Sequence, residues 1–177
     1  MVGTIEDFKG IVSAKGGLAQ SNLFQVILPG DIPGSNISVN EMDILCSSVS
    51  LPGRQIQSVD RLIGPVSEKV ATGSVTDDVS FTFKVLNDYG IKQYFDNWQK
   101  IAYNPDTREI GYKSDYRKQV IINQLKKGVG SQIIYECKLL EAWPVNMDTV
   151  TLNNDLDGLV EITVQLAYTR WSSRYIN

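Results

Sequence analysis

The sequence predicts a mainly β (α+β) fold: an antiparallel β-sandwich or partly open barrel with one α-helix packed outside. Three observations carry this. Val160, Ile162, Val164, Leu166 and Tyr168 alternate with Glu161, Thr163, Gln165, Ala167 and Thr169, the period of a half-buried strand. One segment alone has strong helical spacing, with Ile91, Tyr94, Phe95, Trp98, Ile101 and Ala102 three and four apart. Elsewhere the pattern is strand, turn, strand, which argues antiparallel layers.

Taken in order, Ile5, Phe8, Ile11 and Val12 have helical spacing, and Gly16-Gly17 would stop that helix. So short a helix is marginal alone and is expected to dock on something. Leu23 to Leu28 reads as a mostly buried strand, and Pro29 to Gly34 as a loop. Met42 to Leu51 reads as a strand carrying Ile44, Cys46 and Val49, ended by Pro52-Gly53. Ile56-Gln57-Ser58-Val59 and Glu68-Lys69-Val70-Ala71 read as arms of a long hairpin with Gly64-Pro65 near its tip. The arms look polar on both faces, so the segment is either a floppy loop or a strand pair that another chain covers.

Val79, Phe81, Phe83 and Val85 alternate with Ser80, Thr82 and Lys84 and predict a strand. The helix that follows has Asp88 as its expected N-cap, and Asn104-Pro105 terminates it. Its aromatic stripe reads as the face that covers a sheet. Asp115 to Leu125 reads as a strand, and Gly128-Val129-Gly130 as a hairpin turn; the third glycine and the following helix of a dinucleotide site are missing. Ile133 to Glu141 reads as a strand broken at Ala142-Trp143-Pro144. The count is about seven or eight strands and one main helix.

The 177 residues suit one domain. A net charge of −3 disfavours a nucleic-acid binder held by a basic surface. The chain has no histidine, which removes the His-based catalytic arrangements and the commonest metal ligand. Its two cysteines, Cys46 and Cys137, are too few for a disulfide framework or an all-cysteine zinc site, and Cys137 reads as a small buried hydrophobe. Asn153 to Gly158 resembles the start of a calcium loop, but the position of its bidentate glutamate is Val164, so turn chemistry explains it better. No secretory signal and no membrane-length apolar run is read. The basic runs Lys126-Lys127 and Arg170 to Arg174 read as a solvated turn and tail. No catalytic, metal or cofactor residue is singled out, and the chain is not expected to be an enzyme.

An ordered set of segments resembles the tail tube protein of contractile-tailed phages of the T-even-like group. They are Ser21 to Val26, Leu51-Pro52-Gly53-Arg54, Val85-Leu86-Asn87-Asp88 leading into a helix with Phe95-Asp96-Asn97-Trp98, Tyr112 to Tyr116, Ala142 to Asn146, and Val160 to Tyr168 with Trp171. The resemblance covers roughly Asn22 to Trp171, and residues 1–177 are expected to form a single tail-tube domain. Residues 1–20 would be an N-terminal arm, 54–72 the long hairpin, 91–103 the main helix and 170–177 a C-terminal tail. It implies that six copies form a ring, that rings stack into a hollow tube, and that strands of each subunit join one continuous barrel with the helix outside. Implied partners are further copies of the chain, a contractile sheath, a baseplate and a tail terminator. The bore would hold a tape-measure protein and then double-stranded DNA. The implied location is the virion, after synthesis in the host cytoplasm, without membrane anchoring.

Within that frame the inter-subunit hairpin is expected at Ile56, Gln57, Ser58, Val59, Glu68, Lys69 and Val70. Asp60, Glu68, Glu136 and Glu161 are the candidates for lining the bore, because an acidic wall discourages a polyanion from sticking. Two further readings stay in the class of assemblies: the inner tube of a protein-delivering contractile injection system, and a baseplate tube-initiator protein. A small monomeric ligand-binding β-barrel is the reading from another class.

Overall fold

The computed structural model describes residues 3–64, 66–128, 132–150, 152 and 158–176. Helix α1 (Ile5–Ala14) starts at Thr4. The Asp7 N–H donates to Thr4 Oγ1 at 3.2 Å, and the Thr4 N–H donates to Asp7 Oδ2 at 2.9 Å. This reciprocal cap satisfies donors the helix leaves orphaned. It also holds the Asp7 carboxyl below its ordinary range. Gly16 and Gly17 follow at φ 75° and 105°, the left-handed region that ends helices. The amphipathic face is present, yet no residue of α1 is buried, and Ile5, Phe8 and Ile11 are exposed.

The chain continues through β1 (Phe24–Ile27), α2 (Val39–Leu45), β2 (Cys46–Val49), β3 (Gln55–Ile63), β4 (Val66–Val75) and β5 (Val79–Lys84). Next come α3 (Gly90–Ala102), β6 (Tyr103–Asn104), β7 (Glu109–Ile110), α4 (Lys113–Tyr116) and β8 (Lys118–Leu125). The last elements are β9 (Ile133–Met147), β10 (Glu161–Ala167) and β11 (Arg170–Tyr175). The main sheet runs β1-β8-β9-β10-β5-β2, with β11 beside β9, and all its pairings are antiparallel. Among the described residues, strands β3 and β4 pair only with each other, as do β6 and β7.

Strand β9 makes two layers out of this sheet. Its residues 133–142 pair with β8 and 135–140 with β11, whereas 143–147 pair with β10. The corner falls at Glu141, a non-glycine at φ 57°, where the strand bends out of one layer and into the other. The first layer is β1-β8-β9-β11, and the second is β9-β10-β5-β2. Inward-facing residues of both meet in one core: Val26, Val120, Ile122, Cys137 and Leu139 from the first, Val79, Phe81, Phe83, Ile162, Val164 and Leu166 from the second. Helix α3 covers it with Ile91, Tyr94, Phe95 and Trp98, all buried. Phe95 lies 5.4 Å from the Phe83 ring centroid. The polar tips of the aromatics are satisfied: Tyr94 Oη donates to the Pro29 carbonyl at 2.6 Å, and Trp98 Nε1 to the Tyr116 carbonyl at 2.7 Å.

Several expectations are corrected. Residues 39–45 are helical where a strand from Met42 was expected, because Ser38 and Glu41 form a second capping box. The Ser38 N–H donates to Glu41 Oε2 at 2.8 Å, and the Glu41 N–H to Ser38 Oγ at 3.3 Å. The N-cap of α3 is Tyr89, at φ 53°; Asp88 contributes one bond, accepting from the Gly90 N–H at 3.1 Å. Residues 113–116 are a short helix, so the following strand starts at Lys118. The strand from Ile133 does not break at Pro144. Pro144 pairs opposite Leu166 where the register shifts, and a bulge tolerates the missing N–H. The basic tail is strand β11, paired with β9 from Leu140 to Tyr135. The turn at Val129-Gly130, the hairpin tip at Pro65 and the calcium-loop-like residues 153–157 lie outside the described residues.

Candidate assembly surfaces

The β3–β4 ribbon stands clear of the core. Every residue of β4 is exposed. The register pairs Ile56 with Ser74, Gln57 with Gly73, Ser58 with Ala71 and Val59 with Val70. Beyond these, Asp60 pairs with Lys69, Arg61 with Glu68, and Leu62 with Ser67. Thr72 is therefore an extra residue in β4, a bulge that Thr72 Oγ1 steadies by donating to the Gln57 carbonyl at 3.3 Å. Because β3 itself alternates regularly, Ile56, Ser58, Asp60 and Leu62 share one face, and Gln57, Val59 and Arg61 the other.

The arms are thus not polar on both faces, as the sequence suggested. Ile56 is 65% exposed, Leu62 76%, Val59 54% and Val66 65%. Each face mixes apolar side chains with one cross-strand pair of opposite charge. A free-standing ribbon with apolar residues on both sides is a surface for another chain to cover. The bulge at Thr72 shifts the alternation of β4, which hid this pattern in the sequence.

The four candidate carboxylates do not come together. Asp60 and Glu68 sit on opposite faces of the ribbon, opposite Lys69 and Arg61. Glu136 lies on the outer face of the first layer. Lys138 Nζ is 3.3 Å from its Oε1, and Arg174 is its cross-strand neighbour on β11. Glu161 starts β10 opposite Lys84, at the end of the second layer. Every one of the four has a cation beside or opposite it.

Glu136 belongs to a polar row that sequence reading missed. Gln25, Asn123, Glu136 and Arg174 are successive Cα partners across β1, β8, β9 and β11. Asn123 is buried; its Nδ2 donates to Gln25 Oε1 at 3.4 Å, and its Oδ1 has no partner. The signal available was Asn123 following three apolar residues at an out-facing position. The outer face of the second layer carries hydroxyls and amides along its middle, Ser80, Thr82, Thr163 and Gln165, and the Glu161–Lys84 pair at its end; the Thr82 and Thr163 hydroxyls are 3.3 Å apart. Among the described residues no helix is long and apolar enough to cross a membrane.

Two antiparallel layers joined through one bent strand, one covering helix and a projecting ribbon define a two-layered β-sandwich. Solved structures with this fold include a component of the anti-feeding prophage tube-terminating cap. It has TM-score 0.68 and 11% identity, over 90% of this chain and 92% of that one. A component of the PVC sheath–tube complex of an extracellular contractile injection system has TM-score 0.67 and 12% identity, over 90% and 93%. A component of the six-fold symmetrised anti-feeding prophage baseplate has TM-score 0.65 and 18% identity, over 89% and 96%. At these identities the likeness establishes the fold. No curated protein matches the sequence. The family model described as phage tail tube protein matches residues 19–174, and the chain belongs to that family. It is a structural component of a tail tube.

Proposed function

We propose that six copies close into a ring and that rings stack into the inner tube of a contractile tail. In this reading the tube is the conduit through which double-stranded DNA leaves the particle. The carrying observation is the β3–β4 ribbon in a tail tube protein: it exposes apolar side chains on both faces and, among the described residues, pairs with no strand of the main sheet. The six-fold symmetry of one structural neighbour and the sheath–tube setting of another support the ring, the stack and a surrounding sheath. Cap and baseplate neighbours support partners at the two tube ends. The whole chain acts as one domain, without catalysis, and the bore holds a tape-measure protein before DNA.

In this reading Ile56, Gln57, Ser58, Val59, Glu68, Lys69 and Val70 meet a neighbouring subunit. Deleting Gln57 to Lys69 should leave a folded monomer that forms no rings in negative-stain micrographs. Normal tubes from the deletion would sink the proposal. A second reading, a tube that delivers protein, is favoured by neighbours from extracellular contractile injection systems. Packaged double-stranded DNA in purified particles decides for the first reading, and its absence for the second.

A further inference from the structure

The β3–β4 ribbon leaves the body at two roots, and one short segment holds both. At the first root Arg54 precedes β3, with its guanidinium carbon 5.1 Å from the centroid of the Trp171 ring. At the second, Tyr168 Oη donates to the Asp77 carbonyl at 2.9 Å, just past the end of β4. Tyr168 and Trp171 flank the step from β10 to β11. That step is itself tied to the corner of β9. The Thr169 N–H donates to the Leu140 carbonyl at 3.2 Å. Arg117 Nη1 donates to Glu141 Oε2 at 2.7 Å and to Thr169 Oγ1 at 3.3 Å.

A two-stranded ribbon without a third strand has little to fix its direction. Residues 51–54 and 76–78 at its roots lie outside regular secondary structure, so both roots are places where rotation is cheap. Two interactions of different character remove that freedom. The cation over the ring restrains the first root while tolerating small slides. The phenol–carbonyl bond is directional and restrains the second. Both anchors sit on the strand step that is tied to the Glu141 corner, so the ribbon's direction is referred to that corner.

We propose that Arg54, Tyr168 and Trp171 are positioning residues: they fix the angle at which the ribbon leaves the body and thereby its reach to a second copy of the chain. The inference rests on the reading that the ribbon contacts a neighbouring subunit. Glu141 and Arg117 act one step further back, through the strand step. The set is a lever and its bearing, and assembly selects the angle.

The test places spin labels on cysteines introduced at Ser67, in the ribbon, and Lys100, on α3. Labelled chain is diluted into unlabelled chain, and the interlabel distance is measured by pulsed electron resonance. The parent should give one narrow distribution. The Arg54→Ala/Tyr168→Phe double variant should broaden it with an unchanged thermal midpoint. It should also raise the concentration needed for tube assembly about tenfold, as expected when a cation–ring attraction and a hydrogen bond of modest strength are removed together. Arg54→Lys in a Tyr168-intact chain should keep both readouts at the parent's values, because a cation stays over the ring. Tyr168→Phe alone, which removes one oxygen, serves if the double variant melts early. An unchanged distribution overturns the inference. A broadened distribution with unaltered assembly shows that the angle does not govern reach to a second copy. That result overturns the inference as well, while the deletion of Gln57 to Lys69 separately tests whether the ribbon is in the interface.

Discussion

Trp98 shows how much one residue of the covering helix carries. It is fully buried, stacked on Phe95 with centroids 6.3 Å apart, and edge-on to Tyr94 at 6.0 Å. Trp98→Ala should cost about 3–5 kcal/mol through the cavity it leaves, and it also strips the Tyr116 carbonyl of its donor. Urea unfolding measures this; unchanged stability would contradict the packing described. Gly111 is required for a different reason. A Cβ there would stand 2.0 Å from the Ile101 carbonyl oxygen, so Gly111→Ala should lower the melting temperature although the residue lies on no strand. The thiols are a third case. Burial pushes Cys46 up from 9.0 to about 12, and Cys137 from 9.0 to about 11. Unfolded thiols lose their protons near pH 9.0 while the folded ones keep them, so their stabilising effect is complete below pH 9.0. It is lost as pH rises from there through about 11 and 12. Urea midpoints should therefore hold up to pH 9 and fall above it, by at most about 1.4 kcal/mol per pH unit for each thiol. Burial of Tyr94 acts in the same direction.

At the scale of elements, legibility followed how far a segment's structure is set by its own pattern. Helix α3, β5 and β10 each keep one apolar face over their length, and the sequence shows them. Helix α2 does not: Ile44, Cys46 and Val49 pointed to a strand, while the Ser38–Glu41 box, worth more locally, sits outside the apolar pattern. Ser38→Ala should cost about 1 kcal/mol. Glu41→Ala combined with it should be less than additive, because each side chain caps the other residue's backbone N–H. Strand β11 was illegible because its residues are mostly exposed. Its pairing comes from the backbone of β9, which no side-chain period announces. The helix α1 was read correctly, and none of its residues is buried among the described residues. The ribbon's existence was legible from turn residues and β-branched arms, but its apolar faces were not, since the Thr72 bulge breaks the period that would have displayed them.

At the scale of the whole molecule, the two layers present different outer faces, and in the proposed tube only one of them looks into the bore. The four candidate carboxylates are spread over four surfaces, so they cannot act together on one wall; Glu136 and Glu161 are the pair that tells the layers apart. The first layer carries charge along the middle of its outer face, with Glu136 between Lys138 and Arg174. Covering that face with protein would strip water from these groups at high cost, whereas a water-filled bore would not. The outer face of the second layer has hydroxyls and amides along its middle and a charged pair, Glu161 and Lys84, only at its end, so its middle is cheaper to cover. The first layer is therefore the one expected to line the bore. Glu136→Lys would remove the one carboxylate of this group and leave only cations facing passing phosphates. Each phosphate so neutralised steepens the salt dependence of DNA binding by about 0.9 in log–log slope. Particles carrying Glu136→Lys should assemble, eject DNA slowly at low salt, and recover as salt screens the attraction. Glu161→Lys should eject at the parental rate at every salt concentration. The reverse pattern would put the second layer on the bore. Parental rates from both variants would mean that neither carboxylate meets DNA and that the wall's charge does not govern its passage.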